Sequence, residues 1–405
     1  MRISKSNLLV SVYALFIIYV IYIPRFGKSN VTFSLLFLIL LGLICFLKDR
    51  KILLYKSIMI FILFTFSLIF PILYSANKNE GIVCMIKNIY TIFILFAGIY
   101  IGKIDKKRIL LNKIVVYSLP ISITNILFVV STDLEKKFYS SKFVKYIVAP
   151  SYLAEIGTAN VRDSLKAGVM YVNTNNASVF FVALLVLSIY LYFNNKSKKI
   201  LLIVIINFAA EICTGCRTGW LAIAVFLVFI FGIMDKRKFL KALLWGSGLC
   251  ILLIIIYNIH FEVIDNIIKR LTFSSIKNDP RTIIWRKAIE NINIFGTGFG
   301  GWSKISSNLP LGLRNMPQHN HILILIYWGG IITACLYLLY WGWLIIEGIY
   351  NYKGKKQYGL VLSLVSLNVL IHGLFDNYFL QNINIMIFVF SIIGYLISIN
   401  RKINI

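Results

Sequence analysis

Long apolar runs alternate with short, mostly basic clusters along the chain. The runs cover approximately 7–23, 31–47, 57–76, 82–102, 109–131, 177–193, 200–213, 218–234, 242–259, 320–346, 358–375 and 379–399. They are too long and continuous for barrel strands, and lipid admits only helices or closed barrels. The pattern therefore predicts an all-α, polytopic integral membrane protein with about 12 transmembrane helices, residues 1–405 forming a single transmembrane domain. At about 20 residues per span, twelve spans account for the 59% of the 405 residues that is hydrophobic. The first run ends at Pro24-Arg25-Phe26 rather than at a small-residue cleavage site, so it is expected to be retained as a span.

Charge adds orientation. One set of alternate connections holds clusters such as Lys48/Arg50/Lys51/Lys56, Lys103/Lys106/Lys107/Arg108 and Lys236/Arg237/Lys238/Lys241. The short connections of the other set hold only Arg25, Lys28, Lys78 and Arg217. By the positive-inside rule the first set is cytoplasmic, as are both termini. The net charge of +27 is thus topological and does not indicate nucleic acid. Two outer loops are long, one over 132–176 and one over 260–318, the second lying between spans 9 and 10. Together they hold 14 Lys/Arg against 8 Asp/Glu. That excess on the outer face fits either an anionic partner or solvated loop surface.

Several chemistries lack their signatures. Neither a P-loop nor H-E-x-x-H occurs, which leaves ATP-driven transport and zinc proteolysis without support. Cys45, Cys84, Cys250 and Cys335 are scattered. Cys213 and Cys216 form C-x-x-C without a second ligand pair, so no metal site is expected. Their simplest reading is small residues at a tight helix turn, the alternative a reversible disulfide.

The 260–318 loop is the richest stretch. Asp279 and Pro280 read as the N-cap and first position of a helix. Ile284, Trp285, Ala288, Ile289 and Ile292 share one face, with Arg281, Arg286 and Lys287 on or beside the other. Such a helix lies at the membrane surface or covers the bundle, and its arginine-bearing N-terminus suits phosphate. Gly296-Thr297-Gly298-Phe299-Gly300-Gly301-Trp302 follows no strand, so its glycines are expected to permit close packing rather than to bind a nucleotide. His319-Asn320-His321 opens the tenth span. Two residues on along a helix, His321 points about 200° away from His319. The Cys213–Trp220 hairpin places Arg217 at the outer mouth of the bundle, where a membrane-adjacent arginine implies a partner or ligand. His372 and Asp376 close the eleventh span. Arg217, Arg281, His319, His372 and Asp376 therefore converge on one membrane face.

These motifs resemble the O-antigen ligase and polysaccharide polymerase superfamily of bacterial membrane glycosyltransferases. Thr214-Gly215-Cys216-Arg217-Thr218-Gly219 resembles its T-G-S-R-T-G turn, with Cys216 where Ser is usual. Arg281, Trp285 and Gly296-x-Gly298 resemble its R-x3-W … G-x-G stretch. His319-Asn320, nine residues, Gly330, two residues and Thr333 resemble H-N-x9-G-x-x-T. The resemblance covers about 175–379. It implies a metal-independent glycosyltransferase of the bacterial cytoplasmic membrane, using no cofactor. Its substrates would be lipid-linked oligosaccharide donor and acceptor within membrane lipid. His319 would be catalytic and Arg217 and Arg281 would bind pyrophosphate, with Arg286, Asn320, His372 and Asp376 as additional site candidates. Polymerisation of repeat units is the favoured activity, with glycan ligation and lipid-linked oligosaccharide flipping as alternatives. A flippase and a chain-length regulator are the protein partners such a role implies.

Overall fold

The computed structural model describes residues 4–23, 32–148, 167–169, 174–233, 280–376 and 382–401. These residues form helices α1 (Lys5–Ile18), α2 (Phe33–Lys48), α3 (Lys56–Ser67), α4 (Ile69–Tyr74), α5 (Lys78–Ile104), α6 (Leu110–Tyr117), α7 (Leu119–Val130), α8 (Thr132–Ser140) and α9 (Lys142–Ile147). They continue as α10 (Thr174–Asn195), α11 (Lys198–Thr214), α12 (Arg217–Ile233), α13 (Pro280–Glu290), α14 (Gly301–Ser306), α15 (His321–Lys353), α16 (Tyr358–Phe375) and α17 (Ile383–Arg401).

The expected architecture of apolar helices is seen among the described residues, where the apolar runs are helical. The ninth run, Cys250 and Asp279 lie outside them. Among the described residues, seven segments are long and apolar enough to cross a membrane: Lys56–Tyr74, Lys78–Ile104, Leu110–Val130, Thr174–Asn195, His321–Lys353, Tyr358–Phe375 and Ile383–Asn400. Lys5–Ile18, Phe33–Lys48 and Arg217–Ile230 are apolar but shorter. At a rise of about 1.5 Å per residue they fall short of a bilayer core of about 30 Å.

Several runs are less continuous than hydropathy suggests. Run 57–76 breaks at Leu68 and run 109–131 at Ser118. Pro71 and Pro120 enter just after those breaks and lack the N–H that would bond one turn back. Run 320–346 breaks at Gly330, which is non-helical with φ 76° and ψ −174°. Within the first long loop α8 and α9 form at its start, and Thr174, Asn175 and Asn176 at its end belong to α10.

Small residues set the core. Gly98 and Gly102 of α5 face α17, where a Cβ on Gly98 would meet the Gly394 Cα at 3.0 Å. Such spacing lets helix backbones approach closely where no hydrophobic force drives association. Tyr13, Phe61, Phe64, Tyr340, Trp341 and Phe390 fill the interior. The outward faces carry Leu36, Leu40, Leu43 and Leu47 on α2 and Leu63 and Phe66 on α3, an apolar exterior suited to lipid.

Candidate active site at the loop end of the bundle

The T-G-C-R-T-G stretch is a helix-to-helix turn. Thr214 ends α11, and Gly215 caps it in the left-handed region at φ 61°. Cys216 links to α12, which Arg217 begins. The Cys216 amide donates to Thr214 Oγ1 at 3.2 Å, and its thiol donates to Asn175 Oδ1 at 3.1 Å. Cys213 and Cys216 are both free thiols, as the reading of small residues at a turn expects. Arg217 itself is exposed.

Asn175 connects this turn to the end of α16. Its Nδ2 donates to Asp376 Oδ2 at 2.6 Å. One turn further along, Ser178 Oγ lies 3.0 Å from His372 Nε2, and Asn368 Nδ2 donates to the Val179 carbonyl at 2.9 Å. The start of α10 and the end of α16 thus form a three-rung polar zipper running antiparallel. Asp376 and His372 are both buried. Glu211, from the last turn of α11, enters from the side: it is fully buried and its Oε1 lies 2.6 Å from Ser178 Oγ.

The histidine motif joins the same end. Asn320 is the N-cap of α15, its Oδ1 accepting from the Leu323 amide at 3.1 Å. Its Nδ2 donates to the Leu374 carbonyl at 3.0 Å, tying it to the end of α16. His319 lies just before the helix in left-handed backbone, φ 48°. That region is uncommon for a residue with a Cβ and persists where the surroundings hold it. The helical argument separating the two histidines is corrected here: His319 is half-buried at a bend before the helix, and only His321 is in the helix. His321 is fully buried with its ring stacked on Tyr337 at 5.3 Å, a packing position.

Helix α13 reaches this end through Trp285. Its Nε1 donates to the Gln318 carbonyl at 2.7 Å, and its ring lies 6.0 Å from that of Phe375. Arg281 is four residues earlier and so on the Trp285 face, not opposite it as its charge suggested. Arg286 is exposed and turned about 140° from Arg281, so the helix does not bring it to the same place. Ile284 and Ala288 are buried, but Ile289 and Ile292 are exposed; the apolar face is narrower than its periodicity indicates.

The glycine motif locks the loop onto the broken span. In an unbroken helix the Ile331 amide would bond to the Tyr327 carbonyl. Instead it donates to the Ile294 carbonyl at 2.9 Å, and the Tyr327 carbonyl accepts from the Thr297 amide at 2.7 Å. Loop residues take both ends of the missing bond. Gly296 lies against Gly330, where a Cβ would meet the Gly330 nitrogen at 2.6 Å. Gly296, Gly298 and Gly300 all have φ between 75° and 80°, which accords with a packing role. Thr333 Oγ1 donates to the Gly329 carbonyl at 2.9 Å beside the break.

Of the candidates read from sequence, the turn bearing Arg217, the helix bearing Arg281, His319, Asn320, His372 and Asp376 meet at one end of the bundle. Asn175, Ser178 and Glu211 were missed. An acidic residue inside an apolar run marks a functional site by default, and Glu211 in run 200–213 is such a signal. A comparison with curated proteins gives no match. Residues 202–338 match the family described as O-antigen ligase. The matched third holds Arg217, Arg281, Arg286, His319 and Asn320 in motif order, and the match supports the resemblance to the superfamily of O-antigen ligases and polysaccharide polymerases.

Proposed function

We propose that this protein polymerises polyprenyl-pyrophosphate-linked oligosaccharide repeat units into a surface polysaccharide (capsule, exopolysaccharide or O-antigen). The site lies at the outer face of the bacterial cytoplasmic membrane. The observation that carries this reading is the meeting of the Arg217 turn, the Arg281 face of α13 and His319 at one end of the bundle. An acceptor hydroxyl attacks the anomeric carbon of the donor glycan. The bond from that carbon to the pyrophosphate oxygen breaks, and polyprenyl pyrophosphate leaves with the electron pair. Arg217, at the start of α12, and Arg281 bind the departing pyrophosphate, where arginine forks and helix N-termini suit phosphate oxygens. His319 takes the hydroxyl proton, its imidazole being basic near neutral pH.

The H-N-x9-G-x-x-T pattern favours a second reading, ligation of the glycan to lipid A core or another acceptor. Purified protein supplied with lipid-linked repeat units alone separates the two. Chain growth with release of polyprenyl pyrophosphate is expected. Release only when lipid A core is added assigns ligation. Movement of intact lipid-linked units between leaflets, without bond formation, overturns both.

A further inference from the structure

Glu211, Ser178 and His372 come from three different helices and occupy the buried layer directly beneath the Arg217 turn. Their hydrogen bonds run from Glu211 Oε1 to Ser178 Oγ at 2.6 Å, to His372 Nε2 at 3.0 Å, and from His372 Nδ1 to the Asn368 carbonyl at 2.9 Å. The direction of this chain is set at its far end. A carbonyl only accepts, so His372 Nδ1 carries the proton in that bond. In a neutral imidazole Nε2 is then an acceptor, and Ser178 donates to it. Ser178 has a single hydroxyl hydrogen, so its oxygen must accept from Glu211, and Glu211 must hold a proton to give. The alternative, carboxylate with imidazolium, buries two charges while Glu211 Oε2 meets no hydrogen-bond partner among the described residues. A bare oxygen of an ionised carboxylate in a buried, apolar setting is far costlier than one of a neutral acid.

This cluster also shapes the turn. A Cβ on Gly219 would collide with both Glu211 Oε1 and Ser178 Oγ. The first turn of α12 therefore rests with bare backbone on the Glu211–Ser178 bond, which accounts for the second glycine of T-G-C-R-T-G. Glu211 and Gly219 lie within the matched region and Ser178 and His372 outside it.

We infer that Glu211 is a protonated carboxylic acid heading a one-way donor chain, Glu211 to Ser178 to His372 to the Asn368 carbonyl, and that this chain positions the Arg217 turn for the donor's pyrophosphate. The positioning part rests on the pyrophosphate reading of Arg217; the donor chain does not. The three are positioning residues and contact no reacting atom. Glu211→Gln keeps the chain intact, because its amide donates to Ser178 as the acid does. Ser178→Ala cuts it, leaving two buried groups without partners.

Two measurements on the full-length protein in detergent or nanodiscs test this. The first is the infrared difference spectrum, wild type minus Glu211→Gln, at neutral pH. A carbonyl band of a protonated carboxylic acid is expected, and a carboxylate band in its place overturns the donor chain. The second is the KM for a lipid-linked repeat unit as donor, with kcat alongside. Losing a buried hydrogen bond predicts a rise of about tenfold in KM for Ser178→Ala, with Glu211→Gln close to wild type. A Ser178→Ala enzyme with unchanged donor KM, or a Glu211→Gln enzyme as impaired as Ser178→Ala, overturns the positioning role. Arg217→Ala is assayed beside them. If it leaves donor KM unchanged, the pyrophosphate reading fails and the positioning role with it, while the infrared band still decides the donor chain.

Discussion

The indole Nε1 of Trp285 donates to the carbonyl of Gln318 across 2.7 Å, linking helix α13 to the residue before His319. Two motifs more than thirty residues apart are thereby one structural unit. Trp285→Phe keeps an aromatic ring beside Phe375 and removes only this bond. A net hydrogen bond of about 1 kcal/mol corresponds to a fall in chain-extension rate of about fivefold. Measuring turnover at saturating donor checks it, and a wild-type rate removes the bond from the positioning of His319.

His319→Gln retains hydrogen-bonding atoms but has no useful basicity. A general base contributes about 10²–10⁴-fold, and a loss of that size is expected while the mutant still binds donor. His321→Phe preserves the stack on Tyr337 and is expected to retain most activity. Near-normal turnover by His319→Gln shifts the base to another group and sinks this assignment.

Arg217→Lys and Arg281→Lys replace a bidentate fork with a point charge. Each is expected to lower polymer production at normal protein level, and Arg217→Ala and Arg281→Ala to lower it further. Arg286→Ala, on the exposed side of the same helix, is expected to be close to wild type. Full production by Arg217→Ala or Arg281→Ala refutes the pyrophosphate contact for that residue.

Glu135, on α8 and outside the spans, is buried, and burial raises its pKa to about 7. The unfolded chain has the lower, ordinary value, so the associated stability is complete below the unfolded pKa. It is lost as pH rises through about 7. Hydrogen exchange over 132–147, corrected for intrinsic rates, is expected to be faster at pH 8 than at pH 5. Glu135→Gln is expected to remove this difference, and its persistence in that variant assigns it elsewhere.

Gly330 has a backbone conformation essentially reserved for glycine, and a Cβ there would collide with the Ile294 carbonyl oxygen. Gly330→Ala is expected to abolish activity and lower the midpoint of thermal unfolding. Gly342→Ala, on the same helix with nothing within 4 Å of a Cβ, is the matched control and is expected to behave as wild type. Equal behaviour of the two variants contradicts a requirement for the break.

The helices were legible because lipid makes hydropathy and helicity nearly the same property, and α10, α16 and α17 follow their apolar runs closely. The broken spans were less so, since a sliding average passes over Pro71, Pro120 and Gly330 alike. Arg217, Arg281 and His319 were visible because local spacing carries their motifs. Asn175 and Ser178 were hidden for a boundary reason: polar residues opening a buried helix look like the tail of a loop until their partners on α16 are known. Those partners lie about two hundred residues away, and only packing reveals the pairing. Glu211 was hidden by dilution among isoleucines and alanines.

The exchange of hydrogen bonds at Gly330 makes the loop segment 294–297 part of the span it touches. Without Ile294 and Thr297, the Ile331 amide and the Tyr327 carbonyl would stand bare inside an apolar bundle. A version of this protein with the loop excised is therefore expected to be destabilised at the broken span rather than simply shortened. Insertions and deletions are tolerable only on either side of 294–297. The loop can change on either side of that short clasp, so its sequence and the packing of the span are separately adjustable within one polypeptide.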